Sequence, residues 1–388
     1  MTKISARAAA FERSRIRVMF ELAEAHGGDL VRLEVGEPDF DTPEHVIDAA
    51  ARAARDGATH YTSGAGIPEL RRAIADRTER ETGVSPNPKT EVSVTNGAME
   101  ALSLALAAVA GPGDEVLIPT PAWPNYRNQA RLAGAEPVEV PLPADDGFDL
   151  APDRVVEELT RDTAAVVLTT PSNPTGRVYD EDAVRAVVEA AADRGAYVIA
   201  DEVYARLTYG GDHRRVASYA DYDGLLTVDS CSKTYAMTGW RIGWLVGPSD
   251  VVEAATNLGE STTACPSSVG QHAALAALTG TQEPVREMRA AFRDRRDRLV
   301  KRVESIPNVS CPRPEGAFYA FLDVSALDGT SVDVAERLLS EYGVVAAPGA
   351  GFGDAGEGYL RLSFANSAER IELGLDRIER MVRDERDR

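Results

Sequence analysis

Short runs of β-branched and apolar residues alternate with alanine-rich segments over residues 91–247 of the chain. The seven runs are EVSVT, EVLIPT, EPVEVPL, AAVVLTT, AYVIADE, LLTVDS and GWLVG. Between them, residues 98–110 and 181–194 have apolar side chains at helical spacing, and the acidic stretch that begins at Asp180 is a helix start signal. This alternation predicts βα units around a mainly parallel sheet, so the middle of the chain forms one α/β domain.

The pattern changes near residue 285. VREMRAAFRDRRDRLVKRVESI indicates a long charged amphipathic helix, which is followed by GAFYAFLDV, a helix in VDVAERLLSEYG and the strand-like YLRLSF. LVRLEVGEPDFDTP, residues 30–43, is typical of a short strand and loop ahead of the main domain. We therefore predict an N-terminal arm and part of a small domain over residues 1–44, a large domain over 45–284 and a small α+β domain over 285–388.

The composition restricts the class of protein. With 388 residues, 44% of them hydrophobic and 27% charged, the chain is globular and long enough for one large α/β core with a satellite. Its longest apolar run, near residues 101–110, is well short of the roughly 20 residues that cross a bilayer, and the N-terminal stretch resembles no secretory signal, so we expect a cytoplasmic protein. A net charge of −20 argues against nucleic acid as a partner.

Cysteine and histidine spacing gives no indication of a metal site. Cys231, Cys265 and Cys311 are widely separated, which disfavours both a disulfide framework and a structural zinc site. The five histidines form no metal-spaced cluster either. We expect no bound metal and treat the cysteines as small buried hydrophobes.

The segment SCSKTYAMTGWR, residues 230–241, contains one of only four lysines in the chain. A lysine amine can be tuned by burial and nearby cations toward forming a Schiff base with a carbonyl. Around Lys233 stand the hydroxyls of Ser230 and Ser232 and the guanidinium of Arg241, which are the groups expected around a phosphate. A phosphate beside a Schiff-base lysine indicates pyridoxal phosphate, although an ordinary surface lysine is the alternative.

Two further motifs follow apolar strands, where open α/β sheets bind their ligands. In YVIADEVY, Asp201 ends a strand and can pair with a protonated pyridine nitrogen, or else cap the following helix, while Tyr204 can direct its hydroxyl at a ring oxygen. In LTTPSNPTGRVY, prolines and a glycine stiffen a loop that carries Asn173, whose amide can donate to a phenolate oxygen or a substrate carboxylate. The same loop is also ordinary turn chemistry.

Weaker signals come from three other places. VTNGAMEAL passes from strand to helix at Gly97, so the amides of Ala98 and Met99 can meet an anion, or the glycine serves packing alone. Trp123 follows the next strand and can stack on a flat ring or fill the core. Arg361 lies within the apolar strand YLRLSFA and can grip a carboxylate, whereas an exposed strand arginine is the common alternative.

One motif is a decoy. Residues 351–356 match G-x-G-x-x-G, the dinucleotide fingerprint. That fingerprint must open a helix after a strand, whereas this one runs into YLRLSF. We therefore interpret it as a flexible loop.

Together these motifs resemble the class I/II aminotransferases, the aspartate aminotransferase-like group of fold-type I pyridoxal phosphate enzymes. The likeness runs from VRLEVGEPDF to YLRLSFA, nearly the whole chain, in the family's order and close to its spacing. It implies a large domain with a mainly parallel seven-stranded sheet flanked by helices, and a small α+β domain built from both chain ends. It also implies a homodimer, pyridoxal 5'-phosphate as cofactor, and amino acid and 2-oxo acid substrates.

The resemblance assigns roles around the cofactor ring. Lys233 of S-x-S-K matches the lysine that carries the cofactor as a Schiff base and moves the substrate α-proton. Asp201 matches the aspartate on the pyridine nitrogen, and Tyr204 and Asn173 match the ligands of the ring oxygen. Trp123 of AWPNY resembles the aromatic that stacks on the ring. Lys233, Asp201 and Tyr204 are thus the implied catalytic residues.

The remaining roles concern the phosphate, the substrate and the second subunit. The implied phosphate ligands are Ala98, Met99, Ser230, Ser232 and Arg241. Arg361, helped by the backbone of Gly36 and by Trp123 and Asn173, matches the grip on the substrate α-carboxylate. Tyr61 of HYTSGAGIPELR resembles the tyrosine that reaches the phosphate of the neighbouring subunit.

The implied reaction moves an amino group from an L-amino acid to a 2-oxo acid. Met99 stands where some relatives that use dicarboxylates have a lysine, so aspartate, alanine, aromatic and branched donors stay open. A β-eliminating lyase or a cyclising synthase on the same scaffold is the nearest alternative, because the cofactor residues would be the same. A cofactor-binding transcription regulator is disfavoured because we expect no DNA-binding domain ahead of this region. A colourless nucleotide-binding α/β protein with Lys233 on a phosphate is a further alternative.

Overall fold

The computed structural model describes residues 4–9, 11, 15–211 and 213–387. The helices in this part of the chain are α1 (Ala6–Ala9), α2 (Arg15–His26), α3 (Glu44–Arg55), α4 (Pro68–Thr82), α5 (Ala98–Val109), α6 (Asn125–Ala133), α7 (Pro152–Glu158), α8 (Glu181–Arg194), α9 (Cys231–Thr234), α10 (Ser249–Thr262), α11 (Ser268–Thr279), α12 (Glu283–Val303), α13 (Ser331–Tyr342) and α14 (Ala368–Arg386). The strands are β1 (Val31–Arg32), β2 (Val92–Thr95), β3 (Glu115–Thr120), β4 (Glu136–Pro141), β5 (Thr163–Thr169), β6 (Tyr197–Asp201), β7 (Leu225–Ser230), β8 (Gly243–Val246), β9 (Tyr319–Asp323), β10 (Val344–Val345), β11 (Ala347–Pro348) and β12 (Tyr359–Ser363).

A seven-stranded sheet forms the centre of the molecule, in the order β2-β8-β7-β6-β5-β3-β4. Strand β8 runs antiparallel to both of its neighbours, whereas β7, β6, β5, β3 and β4 pair in parallel. All seven β-branched runs of the sequence form these strands, so the predicted mainly parallel α/β sheet is confirmed. Buried apolar side chains cover both faces of the sheet, as expected for parallel strands with helices on either side.

The helix start signals act where the sequence places them. Asp180 caps α8, since its side chain accepts from the amides of Asp182 at 2.9 Å and Ala183 at 3.2 Å. Gly97 precedes α5 with a φ of 82°, a left-handed conformation that a side chain rarely adopts, so the chain turns directly from β2 into α5. Both predicted helices, 98–110 and 181–194, are confirmed to within one residue at each end.

A smaller layer combines segments from both ends of the chain. Strands β11, β12 and β9 form an antiparallel sheet, and β1 pairs in parallel with β10, Val31 opposite Val344. A buried apolar cluster that includes residues of α12, α13 and α14 packs with these strands. The charged helix predicted after residue 285 is α12, which begins slightly earlier, at Glu283.

The G-x-G-x-x-G segment opens no helix of a βα unit. It forms two short 3-10 turns, Gly349–Phe352 and Asp354–Gly356, that precede β12. Gly351 and Phe352 are buried there, so the segment is packed against the core and the expected flexible loop is wrong in that respect. Across the described residues, no helix combines the length and apolarity needed to span a membrane.

Candidate active site

A cavity of about 320 Å³ opens where β5, β6 and β7 end. Every site residue predicted from the sequence except Tyr61 lines it, although these residues come from distant parts of the chain. The lining residues are Ile16, Glu34, Gly36, Ala98, Met99, Leu102, Trp123, Tyr126, Asn173, Asp201, Val203, Tyr204, Ser230, Ser232, Lys233, Thr238, Tyr319, Arg241 and Arg361.

Lys233 lies half-buried in the cavity wall and donates from Nζ to the carbonyl oxygen of Gly36 at 2.7 Å. Burial lowers the pKa of the Lys233 amine to about 8, a shift that the charge of Glu37 opposes and the charges of Arg361 and Arg241 assist. About a tenth of this amine is therefore unprotonated at pH 7, far more than for an ordinary lysine. That form is the nucleophilic and basic one.

Asp201 ends strand β6 and is buried. The hydroxyl of Tyr126 donates to its Oδ2 at 2.7 Å, and the amide of Val203 donates to its Oδ1 at 3.3 Å. The hydroxyl of Thr169 in turn donates to the Tyr126 oxygen at 2.8 Å, which orients that phenol. Burial raises the pKa of Asp201 to about 6, while the bond from Tyr126 opposes this rise. Such a carboxylate gains most from a cationic partner in the cavity.

Anion-binding groups gather on one side of the cavity. Helix α5 begins at Ala98, and its first amides have no partners within the helix. Ser230 caps the short helix α9, since its Oγ accepts from the amide of Ser232 at 3.2 Å. The guanidinium of Arg241 lies so close to Gly97 that a Cβ on that glycine would stand 2.5 Å from Nη2. A helix start, serine hydroxyls and an arginine together suit a phosphate.

Arg361 is buried in the cavity lining and held there by hydrogen bonds. Its Nη1 donates to Oδ1 of Asn173 at 3.0 Å, and its Nη2 donates to the carbonyl oxygen of Glu34 at 2.7 Å. Its guanidinium also lies over the ring of Tyr319, 4.3 Å from the centroid, and burial lowers the pKa of Arg361. Within the described residues its Nε has no hydrogen-bond partner, so a buried donor is free for a carboxylate.

Aromatic side chains also line the cavity. The hydroxyls of Tyr204 and Tyr319 lie 3.0 Å apart, and burial raises the pKa of both phenols. The indole of Trp123 contacts the ring of Tyr126 edge to face, with centroids 5.5 Å apart. Met99 is partly exposed, and the amide of Gln129 donates to its carbonyl oxygen at 2.8 Å. Because residue 99 is a methionine, this position of the cavity carries no cationic side chain.

Tyr61 lies elsewhere and is 89% exposed. Conversely, sequence reasoning missed Glu34, Tyr126, Thr238 and Tyr319, which the fold brings into the lining. Tyr126 stands one helical turn after Trp123, so the helical spacing of AWPNY was a usable signal for it. The described residues contain no group of three or more histidine, cysteine or acidic side chains arranged to hold a metal ion, and the three cysteines are free, with only Cys231 fully buried.

Comparison with known proteins identifies the family. The protein-family model for aminotransferase class I and II matches residues 28–378 of this chain. The chain is 38% identical to the aspartate aminotransferase of Bacillus subtilis, over 92% of this chain and 93% of that protein. It is 41% identical to the aspartate/prephenate aminotransferase of Thermus thermophilus, over 92% of each. A solved structure of aspartate aminotransferase from Thermus thermophilus with maleate superposes with a TM-score of 0.94 at 40% identity, covering 98% of this chain and 100% of that one.

Proposed function

Because this chain belongs to the class I and II aminotransferases, we propose that its cavity transfers the amino group of an L-amino acid to a 2-oxo acid with pyridoxal 5'-phosphate held at Lys233. The supporting observation is a single cavity that joins three perturbed groups. These are an amine of lowered pKa on Lys233, a buried carboxyl of raised pKa on Asp201 and the buried guanidinium of Arg361 with a free Nε.

The donor set suits this cofactor at each of its polar ends. Asp201 would meet the ring nitrogen, Tyr204 and Asn173 the ring oxygen, and Lys233 the aldehyde carbon. The helix start at Ala98, Ser230, Ser232 and Arg241 would hold the phosphate, with Met99 in the same turn, and Trp123 would stack on the ring. When bound, pyridoxal phosphate supplies an aldehyde that condenses with amines and a protonated ring that withdraws electrons from the substrate α-carbon.

Each step needs the chain's own groups in a defined protonation state. We assign to Nζ of Lys233 the transfer of the substrate α-proton, since its pKa of about 8 leaves both forms accessible near neutrality. Asp201 stays ionised by accepting from Tyr126 and Val203, and thereby keeps a ring nitrogen cationic. Arg361 orients the α-carboxylate with Asn173 beside it, and the amide N–H of Gly36 would add a further donor.

The first experiment tests the covalent attachment. Wild-type protein is expected to show the visible absorbance of bound pyridoxal phosphate, to lose it on borohydride treatment and to carry the label on Lys233 by mass spectrometry. Lys233→Ala should abolish the label. Its turnover should fall by at least about 100-fold, because a general base is lost. Lys301→Ala, an exposed lysine of α12, is the matched control. A colourless wild-type protein that borohydride leaves unlabelled would refute the proposal.

The same assay separates transfer from elimination. With an amino donor and 2-oxoglutarate, an aminotransferase forms glutamate and the 2-oxo acid of the donor. Release of ammonia without glutamate would instead indicate a β-lyase on the same scaffold.

We propose aspartate or an aromatic amino acid as the donor, on the basis of relatives named aspartate and aspartate/prephenate aminotransferase. Met99 leaves the cavity without an added cation, so an alanine donor is the alternative to test. Steady-state kcat/KM values for aspartate, phenylalanine and alanine under one set of conditions decide among them. A preference for alanine by more than about tenfold would overturn the assignment.

We also propose a homodimer in which Tyr61 of one subunit reaches the phosphate site of the other. Tyr61 is 89% exposed and lies outside the cavity of its own chain. Sedimentation of the wild type gives the oligomeric state, and Tyr61→Phe should weaken cofactor affinity without changing that state. The domain bounds at residues 44 and 284 and the cytoplasmic location stay predictions.

A further inference from the structure

A buried ionic cluster lies against the strands that carry Asp201 and Ser230. Its members share charge and burial, since each is less than a fifth exposed and most are nearly inaccessible. They are Arg77, Glu81, Glu202, Arg215 and Asp229. The cluster is outside the lining of the candidate active site, so none of these charges would contact a substrate there.

Arg215 joins two carboxylates at the carboxyl ends of the neighbouring strands β6 and β7. Its Nη1 lies 3.2 Å from Oε2 of Glu202, and its Nη2 lies 2.7 Å from Oδ2 of Asp229. Glu202 directly follows Asp201, and Asp229 directly precedes Ser230. One guanidinium therefore contacts the residue adjacent to each of these two cavity residues.

Backbone bonds make the arrangement stiff. Asp201 is opposite Val228 in the sheet, and the amide of Glu202 extends that ladder by donating to the Val228 carbonyl at 2.9 Å. The amide of Ser230 donates to Oδ1 of Asp229 at 2.6 Å. A shift of either carboxylate would therefore be transmitted to the backbone beside Asp201 or at Ser230.

We propose that Arg215 is a positioning residue that clamps the carboxyl ends of β6 and β7 and so sets the spacing between the Asp201 carboxylate and the Ser230 phosphate cradle. This inference rests on the proposed binding of pyridoxal phosphate at those two residues. The cofactor joins a rigid ring to its phosphate through one short CH2–O linker, which limits the range of distances between ring nitrogen and phosphate, so a site that binds both ends needs a restricted separation.

Loss of the clamp has a defined physical effect. Without the Arg215 guanidinium, Glu202 and Asp229 become two buried carboxylates that have lost a shared partner, and such groups repel each other and draw in water. The strand ends would then separate or rotate. Cofactor affinity and the orientation of the bound ring should both change.

Arg77 provides a matched control inside the same cluster. It is equally buried, and it pairs with Asp229 at 3.2 Å and with Glu81 at 3.1 Å. Among the described residues it makes no ion pair with Glu202, so it touches β7 but does not bridge to β6. Replacing it removes a buried guanidinium while leaving the clamp in place.

The test compares Arg215→Met with Arg77→Met after removal of the cofactor from each. Pyridoxal phosphate is titrated back to give a dissociation constant, and visible circular dichroism per bound cofactor reports the ring's orientation. We expect both variants to lose thermal stability. Only Arg215→Met should raise the dissociation constant by about tenfold or more and alter the dichroism, while Arg77→Met stays within about threefold of wild type.

Equal effects in the two variants, or an Arg215→Met protein that binds cofactor like wild type, would overturn the clamp. If Arg215→Met does not fold, Glu202→Gln decides, because it keeps the shape of the side chain and removes the charge on the β6 side. We expect weaker cofactor binding and altered dichroism for it, and wild-type values would overturn the clamp. A wild-type protein that takes up no pyridoxal phosphate would overturn the proposed function itself.

Discussion

The hydroxyl of Tyr126 offers a direct test of how Asp201 is tuned. It donates to Oδ2 of Asp201 at 2.7 Å, and Tyr126→Phe removes that bond while keeping the ring that contacts Trp123. A hydrogen bond to a carboxylate favours its charged form, so its loss favours the protonated form. The pKa of Asp201 must therefore rise in the variant.

The size of the rise follows from the strength of the bond. A hydrogen bond to a charged group contributes about 1.5–3 kcal/mol, and one pKa unit corresponds to about 1.4 kcal/mol. The pKa of Asp201, already raised to about 6 by burial, should therefore increase by about one to two units. Since only the ionised carboxylate pairs with a cationic ring nitrogen, the variant should lose cofactor affinity at neutral pH and regain it in alkali.

The assay is the dissociation constant of pyridoxal phosphate measured from about pH 5 to about pH 9. For wild type, affinity should decline on acidification through about pH 6, and for Tyr126→Phe through about pH 7 to 8. Tyr179→Phe is the control, because Tyr179 is a buried tyrosine that interacts with Ser172 and lies outside the cavity. The reasoning would be refuted if the pH at which affinity declines were the same in Tyr126→Phe as in wild type, or if it shifted equally in Tyr179→Phe.

Four further changes probe the site and the fold. Arg361→Lys loses the planar fork and the free Nε donor, so kcat/KM for the amino acid should fall about 100-fold in steady-state assays, with most of the loss in KM. Met99→Lys adds a cation at the cavity and should raise kcat/KM for aspartate relative to alanine severalfold. Gly97→Ala forces a left-handed residue and a Cβ 2.5 Å from Arg241, so cofactor titration should show at least about tenfold weaker binding. Because the pKa of Asp201 is raised from 3.8 to about 6 in the fold, the cofactor-free protein should lose about 3 kcal/mol of folding stability as the pH rises through that range. Urea unfolding of Asp201→Asn should lack that decline.

The strands and the residues at their ends were predictable from the sequence. Asp201 ends the apolar run YVIAD, and Lys233 stands three residues beyond the strand-like run LLTVDS. The carboxyl ends of parallel strands meet at one edge, so the pattern places both residues at that edge. The parallel sheet, α5 and α8 were predictable for the same reason, because period and start signals are local.

Contacts between distant segments were not predictable in this way. The hydrogen bond from Tyr126 to Asp201 joins residues 75 positions apart. The contact between the Arg361 guanidinium and the Tyr319 ring depends on the register in which β12 pairs with β9. Arg215 is separated from its partners by loops whose course no periodicity specifies, so its buried role appears only in the folded molecule.

The pairing of β1 with β10 and the bond from Arg361 to the Glu34 carbonyl have a consequence for how the molecule is made. On the ribosome, residues 34 and 233 both emerge long before residue 361 has been translated. The nascent chain can thus complete the sheet with Lys233 and Asp201 while β1 and Glu34 still await the segments that pair with them. We therefore expect the proposed cofactor site to form before the proposed site for the substrate carboxylate in each newly made chain.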